Sequence, residues 1–155
     1  MDWKYLFLSF EGRIARKPYW IGILILLAVL VVASATIFGA LPSIAAGSQT
    51  ITVISVIAFL GIIIPVFYAS LALAAKRLHD REKSAWWLVL FYLVPAVLDG
   101  AAQALSNATA ILVLTLIGAA ISIWALIELG FLKGTQGPNR FGPDPLGAAQ
   151  TDASF

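Results

Sequence analysis

Long apolar stretches alternate with short charged segments along this chain. Residues 18–75 contain no Asp, Glu, Lys, Arg or His, and residues 84–132 contain only Asp99 and Glu128. A helix that crosses a bilayer needs about 20 predominantly apolar residues. The pattern therefore predicts an all-α, polytopic membrane protein with spans at residues 19–40, 51–75 and 109–132.

The apolar segment that begins at residue 85 is less decisive. Only 14 residues precede Asp99, so the helix either continues to about residue 105 or dips into the bilayer and returns. All ten Lys and Arg residues lie in three segments, residues 1–17, 76–83 and 133–140. Four crossings would place all ten on one side, as the positive-inside rule requires. We therefore predict a fourth span at 85–105 and both termini on the cytoplasmic side.

Composition supports a membrane protein and argues against several kinds of site and partner. The chain is 61% hydrophobic and 12% charged, with a mean hydropathy of +0.94, whereas about a quarter of the residues in a soluble domain are charged. Its 155 residues predict one membrane domain at residues 1–145 and a flexible tail at 146–155. The absence of Cys and the single His argue against a metal or disulfide site. Basic residues at membrane boundaries indicate topology and lipid contact, so we predict no nucleic-acid partner.

The first span also resembles a signal peptide, because Ala33-Ser34-Ala35 has the small-x-small pattern of a cleavage site. The apolar run continues past this site, and the aromatic residues before the span are unusual in a signal sequence. We therefore expect the first span to be retained.

Aromatic residues mark the predicted membrane surface. Before the first span, apolar side chains recur at helical spacing at Trp3, Phe7, Phe10 and Ile14. This spacing predicts a short interfacial helix, although Gly12 interrupts it. The pairs Tyr19-Trp20 and Trp86-Trp87 each follow a basic run, which is typical of an aromatic belt at headgroup level.

Three polar motifs lie at the predicted cytoplasmic ends of the spans. They are Phe10-Glu11-Gly12-Arg13, Lys76-Arg77-Leu78-His79-Asp80, and Gly134-Thr135-Gln136-Gly137-Pro138-Asn139-Arg140-Phe141-Gly142-Pro143-Asp144-Pro145. In this order and spacing they resemble the DUF805 family of small bacterial inner-membrane proteins over nearly the whole chain. A departure is Ala85, where the family pattern usually has Gly before two Trp residues. The resemblance implies an uncharacterised inner-membrane protein and supplies no reaction.

Because the motifs share one membrane face, they are expected to bring nine polar side chains together. These are Arg13, Arg16, Lys76, Arg77, His79, Asp80, Asn139, Arg140 and Asp144. One interpretation is a latch, in which Asp80 and Asp144 pair with Arg residues of other motifs. A second is a basic site for cardiolipin or another phosphate-bearing ligand, with Arg77 holding a headgroup bidentately. A third makes His79 a general base oriented by Asp80, although adjacent helical residues rarely face each other.

These features favour a non-enzymatic accessory or scaffold protein that associates with a membrane-protein complex or with copies of itself. Membrane lipids, anionic ones included, are expected partners, and no cofactor is predicted. The alternative is a small transporter or an oligomeric channel. That function needs polar groups along a path at membrane depth, and the first two spans offer only hydroxyl groups, Gln49 and backbone freed by Pro65.

Overall fold

The computed structural model describes residues 2–147, which form helices and connecting turns without a strand. In chain order the elements are α1 (Trp3–Leu8), α2 (Arg16–Ala45), α3 (Gln49–Asp80), the π-helical segment π1 (Val89–Leu93), α4 (Val94–Gln103), α5 (Ala108–Leu126) and the π-helical segment π2 (Ile127–Phe131). Since π1 leads directly into α4, and π2 continues α5, each pair forms one continuous rod. Residues 148–155 of the predicted tail lie outside the described residues.

Three of these helices are long and apolar enough to cross a membrane, namely α2, α3 and the rod Ala108–Phe131. They match the predicted spans at 19–40, 51–75 and 109–132. Helix α3 continues through the second motif to Asp80, because no Pro or Gly interrupts the charged segment. The third apolar segment, Val89–Gln103, is shorter and is about 22 Å long at 1.5 Å per residue. Its full crossing at 85–105 stays a prediction.

A proline explains the π-helical start of the third rod. Pro95 has no N–H group and cannot donate to the carbonyl four residues earlier. The helix widens just before it, and the Val94 N–H donates to the carbonyl of Val89, five residues back. Pro65, in contrast, lies inside a continuous α3.

The helices form two hairpins, α2 with α3 and α4 with α5. The hairpins approach each other at one end, where π2 packs against both α2 and α3. Within residues 2–147, no Cα atom of α2 or α3 comes within 8 Å of one in α4 or α5. We call the joined end, which carries the three motifs, the charged end. The buried core lies there and includes Leu6, Tyr19, Leu73, Leu78 and Leu129.

The N-terminal helix is present but shorter than its apolar spacing predicts. Asp2 caps its start by accepting from the N–H groups of Lys4 and Tyr5, and the helix ends at Leu8. Its buried side chain is Leu6, whereas Trp3 is 52% exposed. The predicted apolar stripe through Phe10 and Ile14 was therefore wrong, since the chain leaves the helix before it reaches them.

Candidate functional site

Six polar side chains are buried at the charged end, and we call them the charged hub. They are Arg13, Lys76, Arg77, His79, Asp80 and Glu128. Burial of a charge is costly unless the group is paired and hydrogen-bonded. Every buried side-chain nitrogen and oxygen of the described residues has a hydrogen-bond partner. The hub is thus a complete polar network.

Asp80 lies at the centre of the hub and joins two motifs. Arg13 donates from Nε and Nη2 to Oδ1 of Asp80, at 3.1 and 3.0 Å, and Arg77 donates from Nη1 to Oδ2. The backbone carbonyl of Asp80 accepts from the N–H of Thr135 at 2.8 Å. Two guanidinium groups therefore share one carboxylate, and the same residue also holds the third motif.

Arg13 extends beyond Asp80 into the turns of the third motif. Its Nη2 donates to the carbonyl of Thr135 at 2.7 Å, and its Nη1 donates to the carbonyl of Gly137 at 2.7 Å and of Gly142 at 3.3 Å. One buried side chain thus binds three carbonyls of a segment rich in Gly and Pro. The first and third motifs meet here, as their shared membrane face predicts.

Side chains of the first hairpin bind the backbone of the second where π2 ends. The last carbonyl groups of a helix have no partner within the helix, and residues 129–133 follow this rule. Their five successive carbonyls each accept from a side chain of α2, of α3 or of the residue after α3. The donors are Arg77 Nε to Leu129 (2.8 Å), Trp20 Nε1 to Gly130 (3.0 Å), Arg16 Nη1 to Phe131 (3.2 Å), Arg77 Nη2 to Leu132 and Arg81 Nη1 to Lys133 (2.8 Å).

Arg77 does not face a lipid headgroup, as its position in the sequence suggested, but binds other parts of the protein. Its Nε and both Nη atoms donate to Asp80 or to the carbonyls of π2 and the following residue, and the residue is fully buried. Trp20 likewise turns inward to a carbonyl, whereas Trp86 is 81% exposed. The aromatic-belt prediction is therefore wrong for Trp20, whose polar edge binds protein, and for the exposed Trp86 it stays a prediction.

Glu128 forms a second ionic cluster that the motifs did not include. It is 3% exposed and accepts from Arg81 Nε and from Lys83 Nζ, the latter at 2.8 Å. Lys83 also lies over the ring of Trp87, 4.5 Å from its centroid. The sequence signal was present, because a carboxylate one turn from the basic end of a span needs a cation.

Lys76 and His79 hold the N-terminal segment against α3. Lys76 Nζ donates to the carbonyls of Tyr5 and Leu6, the latter at 2.7 Å. His79 Nδ1 lies 3.2 Å from the carbonyl oxygen of Gly12. These bonds join the start of the chain to the end of the second predicted span.

The environment of His79 does not suit a general base oriented by Asp80. Its ring stacks on Phe141, with 4.0 Å between ring centroids, and both carboxylate oxygens of Asp80 accept from arginines. The two adjacent side chains therefore bind different partners, as their helical positions predict.

The remaining motif residues shape the turns of the third motif. Asn139 Nδ2 donates to the carbonyl of His79 and to Oγ1 of Thr135, both at 3.0 Å, and the exposed Arg140 donates to the carbonyl of Glu82 at 3.2 Å. These bonds tie the third motif to the end of α3.

Asp144 binds backbone rather than an arginine. Its carboxylate accepts from the N–H groups of Leu146 and Gly137, each at 2.9 Å. These two bonds lower the pKa of the Asp144 carboxyl below its ordinary value. Asp144 therefore stabilises the turns of the third motif and is not the ion-pair partner that we expected, since local N–H groups occupy its oxygens.

Comparisons with known proteins agree with the motifs. A family model described as "Protein of unknown function (DUF805)" matches residues 7–143. Inner membrane protein YhaH of Escherichia coli (strain K12) is 34% identical over 155 residues, which cover 94% of this chain and 97% of that protein. Inner membrane protein YhaI of the same strain is 29% identical over 142 residues, or 90% of this chain and 87% of that protein.

A third relative in that strain, Uncharacterized protein YiiR, is 30% identical over 136 residues, or 88% of this chain and 85% of that protein. No solved structure gives a significant match. The resemblance inferred from the three motifs is thereby confirmed.

Proposed function

The chain belongs to the DUF805 family of membrane proteins, and we propose that it is a non-enzymatic accessory or scaffold protein of the bacterial inner membrane. In this proposal the charged hub fixes two helical hairpins relative to each other. Their outward apolar surfaces then contact a membrane-protein partner or a second copy of the chain.

The proposal rests on one observation, that the polar atoms of the hub bind other atoms of the same chain. Arg13 and Arg77 direct their nitrogens to Asp80 and to carbonyls of the third motif, π2 and the residue after it. A catalytic acid, base or nucleophile needs an atom that faces a substrate. The bonds of the hub instead run between segments of one chain, and such bonds support a structural role.

The positions of the polar residues favour a scaffold over a transporter. Asp99, Gln103 and Thr115 line an open cavity of about 320 Å³ at the end of α4 and α5 that lies away from the hub. Glu128 lies at the opposite end and is enclosed by its two cations. Residues 116–127, between these two ends of α5 and π2, contain no ionisable side chain. A transported ion would have no charged group to bind along this stretch.

We further propose that the third apolar rod crosses the membrane and that the charged end is cytoplasmic. All ten Lys and Arg residues then lie on the cytoplasmic side. The natural chain has no Cys, so any labelling by a thiol reagent comes from the single cysteine that is introduced. Gln49→Cys and Ser106→Cys should react with an impermeant maleimide from the periplasm, and Gln136→Cys should react only after permeabilisation. Protection of Ser106→Cys in intact cells would contradict four crossings.

Affinity purification in a mild detergent after cross-linking tests the scaffold role. The wild-type chain should retain a membrane-protein partner, or a second copy, in fixed stoichiometry. Asp80→Asn should lose this association because the hub no longer aligns the hairpins, whereas Glu82→Gln at an exposed position should keep it. A wild-type chain that is recovered alone as a monomer, or that carries solute across reconstituted vesicles, would contradict the proposal.

A further inference from the structure

A polar cavity of about 280 Å³ lies beside the hub, between the start of α2 and the third motif. The charged residues of its wall are Arg16, Arg77, Lys133, Asp80 and Asp144. Arg77 and Asp80 are occupied with each other and with their other hub partners, and Asp144 is held by backbone N–H groups. Positive charge that is free to bind a ligand in this cavity must therefore come from Arg16 and Lys133.

Arg16 and Lys133 have that capacity. Arg16 uses only Nη1, for the carbonyl of Phe131, and its Nε and Nη2 have no partner within residues 2–147. Lys133 Nζ also has no hydrogen-bond or ion-pair partner in this part of the chain. Two cations from different hairpins thus line one cavity with donors to spare.

The charge balance of the surroundings favours an anion in this cavity. The wall of the cavity carries three basic side chains and two carboxylates, which leaves an excess of one positive charge. The basic residues are Arg16, Arg77 and Lys133, and the acidic ones are Asp80 and Asp144. Arg13, which pairs with Asp80 from the hub, adds a further positive charge beside the cavity. In a medium of low dielectric constant an excess of one sign attracts the opposite charge strongly.

An apolar groove of about 490 Å³ lies between α2 and α3, farther from the charged end, and Ile23 and Ser70 belong to its lining. Seven residues make nearly two full helical turns, so Ile23 lies below Arg16 on one face of α2, and Ser70 lies below Arg77 on one face of α3. The offset is roughly 10 Å along the helix axis, comparable to the thickness of one headgroup region, about 5–8 Å.

We propose that the cavity and the groove together bind one anionic phospholipid. The phosphate lies between Arg16 and Lys133, and an acyl chain follows the groove. A guanidinium with two unused donors suits phosphate oxygens, and the ammonium adds a second charge. Inorganic phosphate shares this headgroup chemistry but has no chain to fill the groove. The inference goes beyond the proposed function, since a scaffold does not require a lipid ligand.

Native mass spectrometry of the full chain with phosphatidylglycerol tests the cavity. The double variant Arg16→Gln/Lys133→Gln should retain at least fivefold less lipid than the wild type. The matched control Lys4→Gln/Lys17→Gln removes the same charge from exposed positions outside the cavity and should retain wild-type amounts. Equal loss in both double variants, or loss in neither, would overturn the assignment.

Groove variants and competing ligands distinguish a bound anionic phospholipid from a neutral lipid and from free phosphate. Leu27→Trp fills the groove and should lower retention, whereas Leu24→Trp, exposed and outside the groove, should not. Phosphatidylcholine should be retained at least fivefold less than phosphatidylglycerol. Millimolar inorganic phosphate should not displace the bound lipid. Retention of phosphatidylcholine at the level of phosphatidylglycerol, or displacement by inorganic phosphate, would overturn the proposal.

Thermal unfolding of the same samples separates this inference from the scaffold proposal. The groove variant leaves every bond of the hub intact, so its melting temperature without added lipid should equal that of the wild type. The cavity variant also loses the bond from Arg16 to the carbonyl of Phe131, so it should melt slightly below the wild type and well above Asp80→Asn. Stable variants that show no change in lipid retention reject the lipid site and leave the scaffold role untouched.

Discussion

Arg13 places two of its nitrogens, Nε and Nη2, on a single carboxylate oxygen of Asp80, at 3.1 and 3.0 Å. The other oxygen of Asp80 is left for Arg77. Both guanidinium groups also bind backbone carbonyls after π2. The Asp80 carboxylate is therefore the counter-charge of the two arginines that link the first two motifs to the end of the chain that the structure describes. The stability of the charged end should therefore be most sensitive at this position.

Asp80→Asn should destabilise the protein by about 3–5 kcal/mol, because it leaves two buried guanidinium groups without a counter-charge. Equilibrium unfolding in detergent measures this change. Glu82→Gln is the control, since Glu82 is exposed and its side chain has no ion pair within residues 2–147. A loss below about 1 kcal/mol, the range of surface pairs, would show that the buried pair is not needed for stability.

Gly134→Ala should also destabilise the charged end. A methyl group at this position would overlap the carboxylate of Asp80, so the third motif would have to move away from α3. Gly39→Ala, where an added methyl group meets no atom within 4 Å, should be neutral or slightly stabilising because Ala favours a helix. Melting temperatures of the two variants provide the comparison, and equal values would contradict the contact.

Trp20→Phe should cost about 1 kcal/mol, the usual contribution of one hydrogen bond. The change keeps an aromatic ring against Phe131 and removes the donor to the carbonyl of Gly130. The exposed Trp86 provides the matched control, since Trp86→Phe removes an indole N–H that has no partner among the described residues. If unfolding shows the same effect for both variants, the carbonyl bond is not stabilising.

The turns around Asp144 should loosen at low pH. Its pKa is lowered in the folded protein, so its contribution is present above the ordinary value of 3.8 and is lost as the pH falls through the folded pKa. Hydrogen-exchange protection of the Gly137 and Leu146 amides, corrected for intrinsic rates, should be constant well above pH 3.8 and should fall as the pH drops below that value. In Asp144→Asn, protection should be lower at pH 7 and independent of pH. A wild type without this fall would contradict the role of the carboxylate.

The apolar runs predict most of the fold. Helices α2, α3 and the rod Ala108–Phe131 coincide with runs long enough to cross a bilayer, and the length of such a run is visible in the sequence. The third rod is short because turns and irregular chain occupy residues 81–86 before it and the helix ends at Gln103. The division into one membrane domain at 1–145 and a tail stays a prediction.

The partners of the motif residues were less predictable. Cations at helix ends are visible in the sequence, but every residue carries a carbonyl, so nothing marks residues 129–133 as acceptors. We expected Arg77 to face a headgroup, and its donors instead go to Leu129, Leu132 and Asp80. Asp144 shows the same limit, because a carboxylate in a turn chooses between distant cations and the N–H groups beside it.

The reach of Arg13 also sets an order of assembly. Its bond to the carbonyl of Thr135 joins residues 122 positions apart, so this bond cannot form until Thr135 has been synthesised. The three helices that are long enough to cross a membrane owe their apolar length to segments that precede Thr135. Arg77 finds its carbonyl partners at Leu129 and Leu132, whereas Arg13 finds its carbonyl partners only at residues 135–142. A chain that stops before Thr135 would therefore keep the bonds between the hairpins at residues 129–133 and lack the contacts that tie Arg13 to the third motif.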